Sequence, residues 1–300
     1  MKHIGLTGAS GLLGKHVIFL LLKKNYKVIA TSKKKPLINH KNLIWKKMDL
    51  SKNLENSSLK RIYKKVICLI HIGAFVPHAG EKVGLKQINQ INVISSLKLA
   101  SWSKKNNKHF IFISGSVLYK NQNSKNKEIS PILKNSENSY INSKILAERK
   151  LSFLNKNKFK LTVLRVSSLY GFGIKKKKLI SNLIRKISIG KDISIYNNNK
   201  TEVNFIHAKD VSEAILNCIK YKKFGIFNIG GNKTLNFFKI ANIIKKEKYS
   251  KSKIFLKKSK SSETLNRLDV NIKKSKKILN WKPKIEFKKG LKMMIKKQCI

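Results

Sequence analysis

A doubly wound, parallel α/β sheet with a smaller C-terminal α/β cap is the fold this sequence predicts, on three observations. Short apolar runs alternate with longer amphipathic stretches through the first two thirds of the chain. A glycine-rich turn, residues 7–14, stands between the first run and the first amphipathic stretch, and the alternation breaks after Gly171. Strand and helix in alternation is how parallel strands connect, because each return to the same edge needs a crossover long enough to hold a helix.

Strands are expected at residues 2–7, 27–31, 43–47, 66–70, 109–113 and 161–166, each a short apolar run with polar flanks. Helices are expected between them at 11–24, 54–63, 85–103 and 138–154, where apolar residues recur every three or four positions. Past Gly171 a basic run, residues 175–178, leads into a further helix. Residues 208–221 and 225–229 read as a helix and strand returning to the main sheet, and helices at 235–247 and 271–279 with the tail from Phe287 read as the cap. The expected division is therefore 1–171 with 204–230 for the sheet domain, and 172–203 with 231–300 for the cap.

Sixty-seven basic against 14 acidic residues give a formal charge of +53 in 300 residues, yet 41% of the chain is apolar, enough to bury a core. All but five of the basic residues are lysine, and they run evenly from Lys2 to Lys297. A nucleic-acid groove concentrates its charge and favours arginine, so the expectation is a coding bias, nonspecific attraction to polyanions and steering of anionic substrates, with no specific nucleic-acid partner. Cys68, Cys218 and Cys299 are odd in number and far apart, which suggests neither a disulfide framework nor a zinc site and fits a reducing cytoplasm. No apolar run approaches the length of a membrane span, and the chain opens directly into a strand, so neither a membrane location nor a signal peptide is expected.

Three constellations carry chemistry. In the first, Gly8, Ser10, Gly11, Leu12 and Gly14 lie where a strand turns into a helix. Glycines there permit a tight turn and close backbone approach to a pyrophosphate at the helix N-terminus, the Rossmann signature of dinucleotide binding. Second, the strand ending at Thr31 is followed by Ser32 and Lys33 to Lys35 where an NAD site would place a carboxylate, so NADP is preferred over NAD. Third, Tyr140 and Lys144 stand four apart at the start of a helix. One turn of separation puts them on one face, and an ammonium beside a phenol lowers its pKa and makes it a usable acid-base.

With those residues in place the chain resembles the extended short-chain dehydrogenase/reductase family, the NAD(P)-dependent epimerase/dehydratase group. Asp49-Leu50 looks like the pair near the adenine, His71 to Ala74 (with Gly73) like the segment lining the cofactor, and Asn92 like the family's helix asparagine. Residues 164–171, 204–211, 268–269 and 279–283 are similar to later family segments. The resemblance implies a cytoplasmic enzyme acting on a sugar, in this family usually nucleotide-linked, either an epimerase working through a transient ketone or a reductase of a keto-sugar. It also implies a homodimer through the helices at 85–103 and 138–154. Tyr140 would exchange the hydroxyl proton, Lys144 would hold the cofactor ribose, and the cap would select the substrate. A noncatalytic relative serving as a redox sensor or RNA-binding protein is the alternative.

Departures limit the transfer. The family's Ser or Thr four residues before the loop tyrosine, here Tyr119, is Gly115, leaving Ser116 or Ser114 to hold the substrate oxygen. The loop lacks the Asp-Glu pair of the 4,6-dehydratases, so dehydration is not expected. Val203-Asn204 replaces a diphosphate-binding arginine, leaving Arg267 or a lysine to substitute. His71 and His207 read as satisfied strand-end histidines, Asp210 as a helix N-cap and Arg165 as half of a structural ion pair; Trp45, Trp102 and Trp281 read as core or interface aromatics. No metal is implied.

Overall fold

The protein is described from a computed structural model covering residues 1–77, 81, 84–120, 125–155, 159–176, 178–196, 201–257 and 267–296. Its first 71 residues build β1 (His3–Thr7), α1 (Leu12–Lys23), β2 (Lys27–Ser32), β3 (Leu43–Lys47), α2 (Asn56–Tyr63) and β4 (Val66–His71). There follow α3 (Leu85–Asn89), a π turn over Gln90–Ile94, α4 (Ser95–Lys105), β5 (His109–Gly115), α5 (Ser139–Leu154) and β6 (Leu161–Val166). A seventh parallel strand, β10 (Gly225–Ile229), joins beside β6, giving the order β10-β6-β5-β4-β1-β2-β3. The order reverses between β1 and β4, which opens a crevice at their C-terminal ends, the place where such sheets bind ligands.

Strand side chains alternate between two helical layers. Ile111 faces a core shared with Val17, Leu21, Val211 and Ile215 of α1 and α7 (Ala208–Lys220). Phe110 and Phe112 face the other core, with Leu99 and Trp102 of α4 and Ala147 of α5. Strands buried at every residue, such as Leu161–Val166, follow from having helices on both faces.

The second unit contains short elements that the sequence did not reveal. β7 (Ser168–Tyr170), β9 (Glu202–His207), β11 (Thr234–Asn236) and β13 (Arg267–Leu268) form one small sheet, and β8 (Ile193–Tyr196) pairs with β12 (Ile254–Lys257) in another. Helices α6 (Leu179–Ser188), α8 (Phe237–Glu247) and α10 (Phe287–Ile295) close over them with a core of Ile187, Ile195, Ile240, Ile244 and Leu291. A boundary at 204 runs through β9, whose strand partners are all in the small sheet. Conversely, residues 271–283 pack on the main sheet: α9 (Lys273–Ile278) carries Ser275, which donates to the Asn228 carbonyl, and Leu279 and Trp281 join the α1–α7 core.

Asn204 ties the two units together. Its Oδ1 accepts from Ser167 Oγ (2.9 Å) and the Gly231 amide (2.6 Å), and its Nδ2 donates to the Gly231 carbonyl (3.0 Å) and to Asp269 Oδ1 (2.9 Å). Asp210 is the third residue of α7, not its N-cap; His207 caps the helix, accepting from the Lys209 amide at 3.2 Å. The Asp210 carboxylate instead accepts the amides of Lys284 (3.1 Å) and Ile285 (3.0 Å), and its carbonyl accepts from Trp281 Nε1, pinning the closing segment.

Burial lowers the pKa of His16 and His109 to about 4 and of His71 and His207 to about 3. Each is therefore neutral in the folded protein at pH values where the unfolded chain, with an ordinary imidazole near 6.5, takes up a proton. Stability is full above about pH 6.5 and falls as pH drops toward 4, by about 1.4 kcal/mol per pH unit for each histidine. Melting temperatures measured across this range should fall steeply, and His109→Gln should reduce the proton uptake on unfolding by one.

Candidate active site

The crevice is shaped by two turns that touch. Thr7, the last residue of β1, accepts the Gly73 amide on its hydroxyl (3.1 Å) and hydrogen-bonds His71 Nδ1 (2.7 Å). His71 Nε2 lies 2.8 Å from Ser96 Oγ, which itself donates to the Asn92 carbonyl. Ser96 can therefore only accept from Nε2, and a neutral His71 must accept from Thr7 at Nδ1. The histidine is thus satisfied and structural.

Gly8 has φ +76°, and a Cβ there would lie 2.7 Å from the Gly73 amide nitrogen; a Cβ on Gly14 would collide with the Gly8 carbonyl. Helix α1 consequently sits directly on the turn. Its N-cap, Gly11, supplies no side-chain cap, so the first-turn N–H groups of Leu12, Leu13 and Gly14 face the crevice mouth as donors. These residues, with Ser10 at the exposed tip of the turn, fit a dinucleotide pyrophosphate.

Beside this turn, Leu50 packs against Gly73, and Asp49 accepts from the Ser51 amide and hydroxyl (2.9 and 2.6 Å). Partial burial pushes the Asp49 carboxyl up, but Ser51 and Lys33 outweigh it and hold the pKa below the usual value. Lys33 pairs with Asp49 at 3.2 Å, and Ser32 Oγ donates to the Lys34 carbonyl (2.6 Å) while accepting Trp45 Nε1 (3.1 Å). The Ser32–Lys33 pair assigned to a 2′-phosphate is thus committed to protein partners.

The Tyr140–Lys144 pair lies on α5. Asn138 caps the helix, accepting the Tyr140 and Ile141 amides, which places Tyr140 in the first turn. Asn92, in the π turn, makes a two-way bond with the Phe75 backbone and donates to Ser143 Oγ (2.9 Å), which in turn donates to the Tyr140 carbonyl (2.7 Å). Ala74 lies half-buried in this same stretch after β4. The tyrosine helix is thereby fastened to the segment that lines the crevice.

The electrostatics depart from the expectation of a lowered phenol pKa. Lys144 is buried, donates to the Ile113 carbonyl (2.8 Å) and sits 4.6 Å above the Phe112 ring. Its ammonium is turned to the end of β5, leaving nothing to offset the desolvation of half-buried Tyr140, whose phenol is pushed up to about 12. Burial also lowers Lys144 to about 8, Glu148 opposing it.

Two residues past Ile113 the chain reaches Gly115, whose φ of −134° any residue can adopt. Ser114 on one side is buried with an unpartnered hydroxyl, and Ser116 on the other, also buried, opens a 3₁₀ turn. Arg267 lies in β13 opposite Glu202 in β9, and its side chain falls outside the described residues. The sequence reading also missed His16 of α1, whose ring centroid lies 5.8 Å from that of His207 across the junction of the two units. Among the described residues no group of three or more His, Cys, Asp or Glu side chains could hold a metal.

The family model for the NAD dependent epimerase/dehydratase family matches residues 4–230. A putative UDP-glucose 4-epimerase of Methanocaldococcus jannaschii is 26% identical over 96% of this chain and 96% of that protein. The human dTDP-D-glucose 4,6-dehydratase is 27% identical over 98% and 89%. Among solved structures, the UDP-glucuronic acid 4-epimerase of Bacillus cereus with UDP-glucuronic acid and NAD superposes with a TM-score of 0.86 at 21% identity, covering 98% of this chain and 99% of that one. The dTDP-glucose 4,6-dehydratase of Bacillus anthracis with NAD gives 0.85 at 21%, covering 99% and 96%.

If the touching turns form the pyrophosphate cradle, Gly14→Ala should lower dinucleotide affinity more than tenfold by isothermal titration calorimetry and lower the melting temperature. Gly84→Ala, which meets nothing within 4 Å, should leave affinity unchanged.

Proposed function

The chain belongs to the NAD dependent epimerase/dehydratase family, and on that premise we propose that it epimerises a nucleotide-linked sugar through a transient ketone. The observation that carries this reading is the fastening of Tyr140, through Ser143 and Asn92, to the segment after β4 that borders the glycine turn, with Lys144 one turn on held at the end of β5. The epimerases among its relatives and structural neighbours, with NAD bound in several of the latter, support it. Absence of an Asp-Glu pair from residues 116–118 speaks against elimination of water.

The nicotinamide, when bound, accepts and returns the hydride. Gly8, Ser10, Gly11, Leu12 and Gly14 hold the pyrophosphate, Asp49 and Leu50 border the adenosine, and His71, Gly73, Ala74 and Asn92 shape the wall between. Tyr140 takes the proton of the carbinol oxygen and later returns it, and Lys144, whose ammonium is turned to the Ile113 carbonyl and not to the phenol, would hold the cofactor ribose. Ser114 brings a buried, unpartnered hydroxyl and Ser116 a neighbouring one to steady the substrate oxygen. Because the hydride must come back to the opposite face of the carbon, the cap has to let the sugar turn over.

Helix α6 begins in the cap at an N-terminus without a side-chain cap, next to Lys175, Lys176 and Lys178. Lys178 donates to the Pro77 carbonyl (3.4 Å), which sets these cations beside the segment after β4. They suit a sugar diphosphate in place of the arginine that Val203-Asn204 lacks and of Arg267.

The commitment of Ser32 and Lys33 to Trp45 and Asp49 leaves only Lys34 and Lys35 for a 2′-phosphate, so the NADP preference gives way to NAD. With it goes the main support for the reductase. The two units follow the sheets, with the cap on residues 168–207 and 231–268 and α10. On α4 and α5, exposed Phe153 borders a hollow with Leu97, Ser101, Lys150 and Leu154, which supports a homodimer. No described helix is long and apolar enough to cross a membrane, and Cys68 and Cys218 are buried free thiols, in keeping with a cytoplasmic enzyme.

Incubation with NAD and a panel of UDP- and dTDP-hexoses, followed by NMR, should show interconversion of epimers without net oxidation of added NADH. Tyr140→Phe should cut turnover about a thousandfold and leave dinucleotide affinity within about twofold. Phe153→Glu should shift the assembly to monomer in light scattering.

A further inference from the structure

Below the acid-base end lies a buried row of alternating charge that the proposed chemistry does not use. Glu148, one helical turn past Lys144, is buried, and Arg165 of β6 grips both its oxygens, Nη2 at 2.7 Å and Nε at 3.1 and 3.2 Å. Arg165 Nη1 also donates to the Tyr119 hydroxyl and the Glu128 carbonyl, both at 3.0 Å, and Tyr119 donates to Asn228 Oδ1 at 2.7 Å. A lysine and a glutamate four apart on a helix ordinarily pair with each other. Here the fork of Arg165 holds the carboxylate, and the Lys144 ammonium points to Ile113 and the Phe112 ring.

We infer that Glu148 and Arg165 are positioning residues for Lys144: the carboxylate keeps its ammonium charged in a dry site, and the guanidinium stops that carboxylate from drawing the ammonium away from β5. The inference rests on the reading that Lys144 serves the site proposed above. The charged and titratable groups facing Lys144 are few. Glu148 on its own helix acts on Lys144 directly, and Lys144 acts on His71 of β4, which is neutral and bonded at both nitrogens; Arg165 reaches it through the Glu148 carboxylate, and Tyr119 through Arg165. Burial alone drives the lysine toward neutrality, Glu148 opposes that, and the net buried charge of the row is a single positive charge.

An ion pair that served only to hold the fold would leave the Lys144 midpoint in place on loss of either partner, whereas residues that set the charge and position of Lys144 shift it in opposite directions. The test is an NMR titration of protein labelled with ¹³C-lysine, the Lys144 signal being assigned by its loss in Lys144→Met, alongside the pH profile of kcat. Glu148→Gln should lower the Lys144 midpoint by about one pH unit or more, and Arg165→Gln should raise it, with the matching limb of the kcat profile moving the same way. Glu148→Asp, which keeps the charge, should hold the midpoint near that of the wild type and serves if the Gln variant does not fold. Shifts in the same direction for Glu148→Gln and Arg165→Gln, or no shift in Arg165→Gln, would overturn the inference. Opposed shifts of the midpoint in a protein without epimerase activity would leave the electrostatic pairing intact and remove the proposed function instead.

Discussion

Everything at the crevice depends on a contact between two backbones. The turn after β1 and the turn after β4 approach so closely that Gly8 has no room for a methyl group, and a methyl on Gly73 would run into Leu50. Thr7 converts that proximity into a fixed register by accepting from one turn and bonding the histidine that ends the neighbouring strand. Because both turns lie where the strand order reverses, the gap they frame is at once the seam of the sheet and the mouth of the site. Helix α1 and the Asn92 segment inherit their positions from it, and Tyr140 inherits its position from Asn92 through Ser143.

The main sheet was legible because its evidence is local. Each βαβ repeat announces itself within some thirty residues by a change of hydrophobic period, and the glycine turn needs only seven consecutive positions. The cap was harder: β7, β11 and β13 are two or three residues long and owe their existence to pairing with β9, distant in sequence. Of the site, residue identities could be read but not their commitments. Lys33 reads as a free cation until Asp49 is seen beside it, and Lys144 reads as a partner of Tyr140 until the Ile113 carbonyl is seen to hold it. Asp210 has the composition of a cap, yet its partners lie over seventy residues away.

The charge of +53 takes on a different aspect in three dimensions. Fourteen acidic residues are too few to pair with 67 basic ones, so where an acid is buried it marks a specific constraint. Glu148 and Asp210 each satisfy a set of donors that no neutral residue could match, and Asp269 joins the Asn204 cluster. Most lysines project into solvent, where their charges are screened within about a Debye length and contribute little to the fold.

Asn204 has a consequence for how such a protein can change over time. The chain crosses between its two units near Ser167, at β9, at Gly231, at Asp269 and once more before α10, and one amide joins the first four crossings. A new sugar specificity therefore cannot arrive by exchanging one contiguous stretch for another. It has to accumulate residue by residue within the cap, while the asparagine that splices the crossings keeps the cofactor half from noticing.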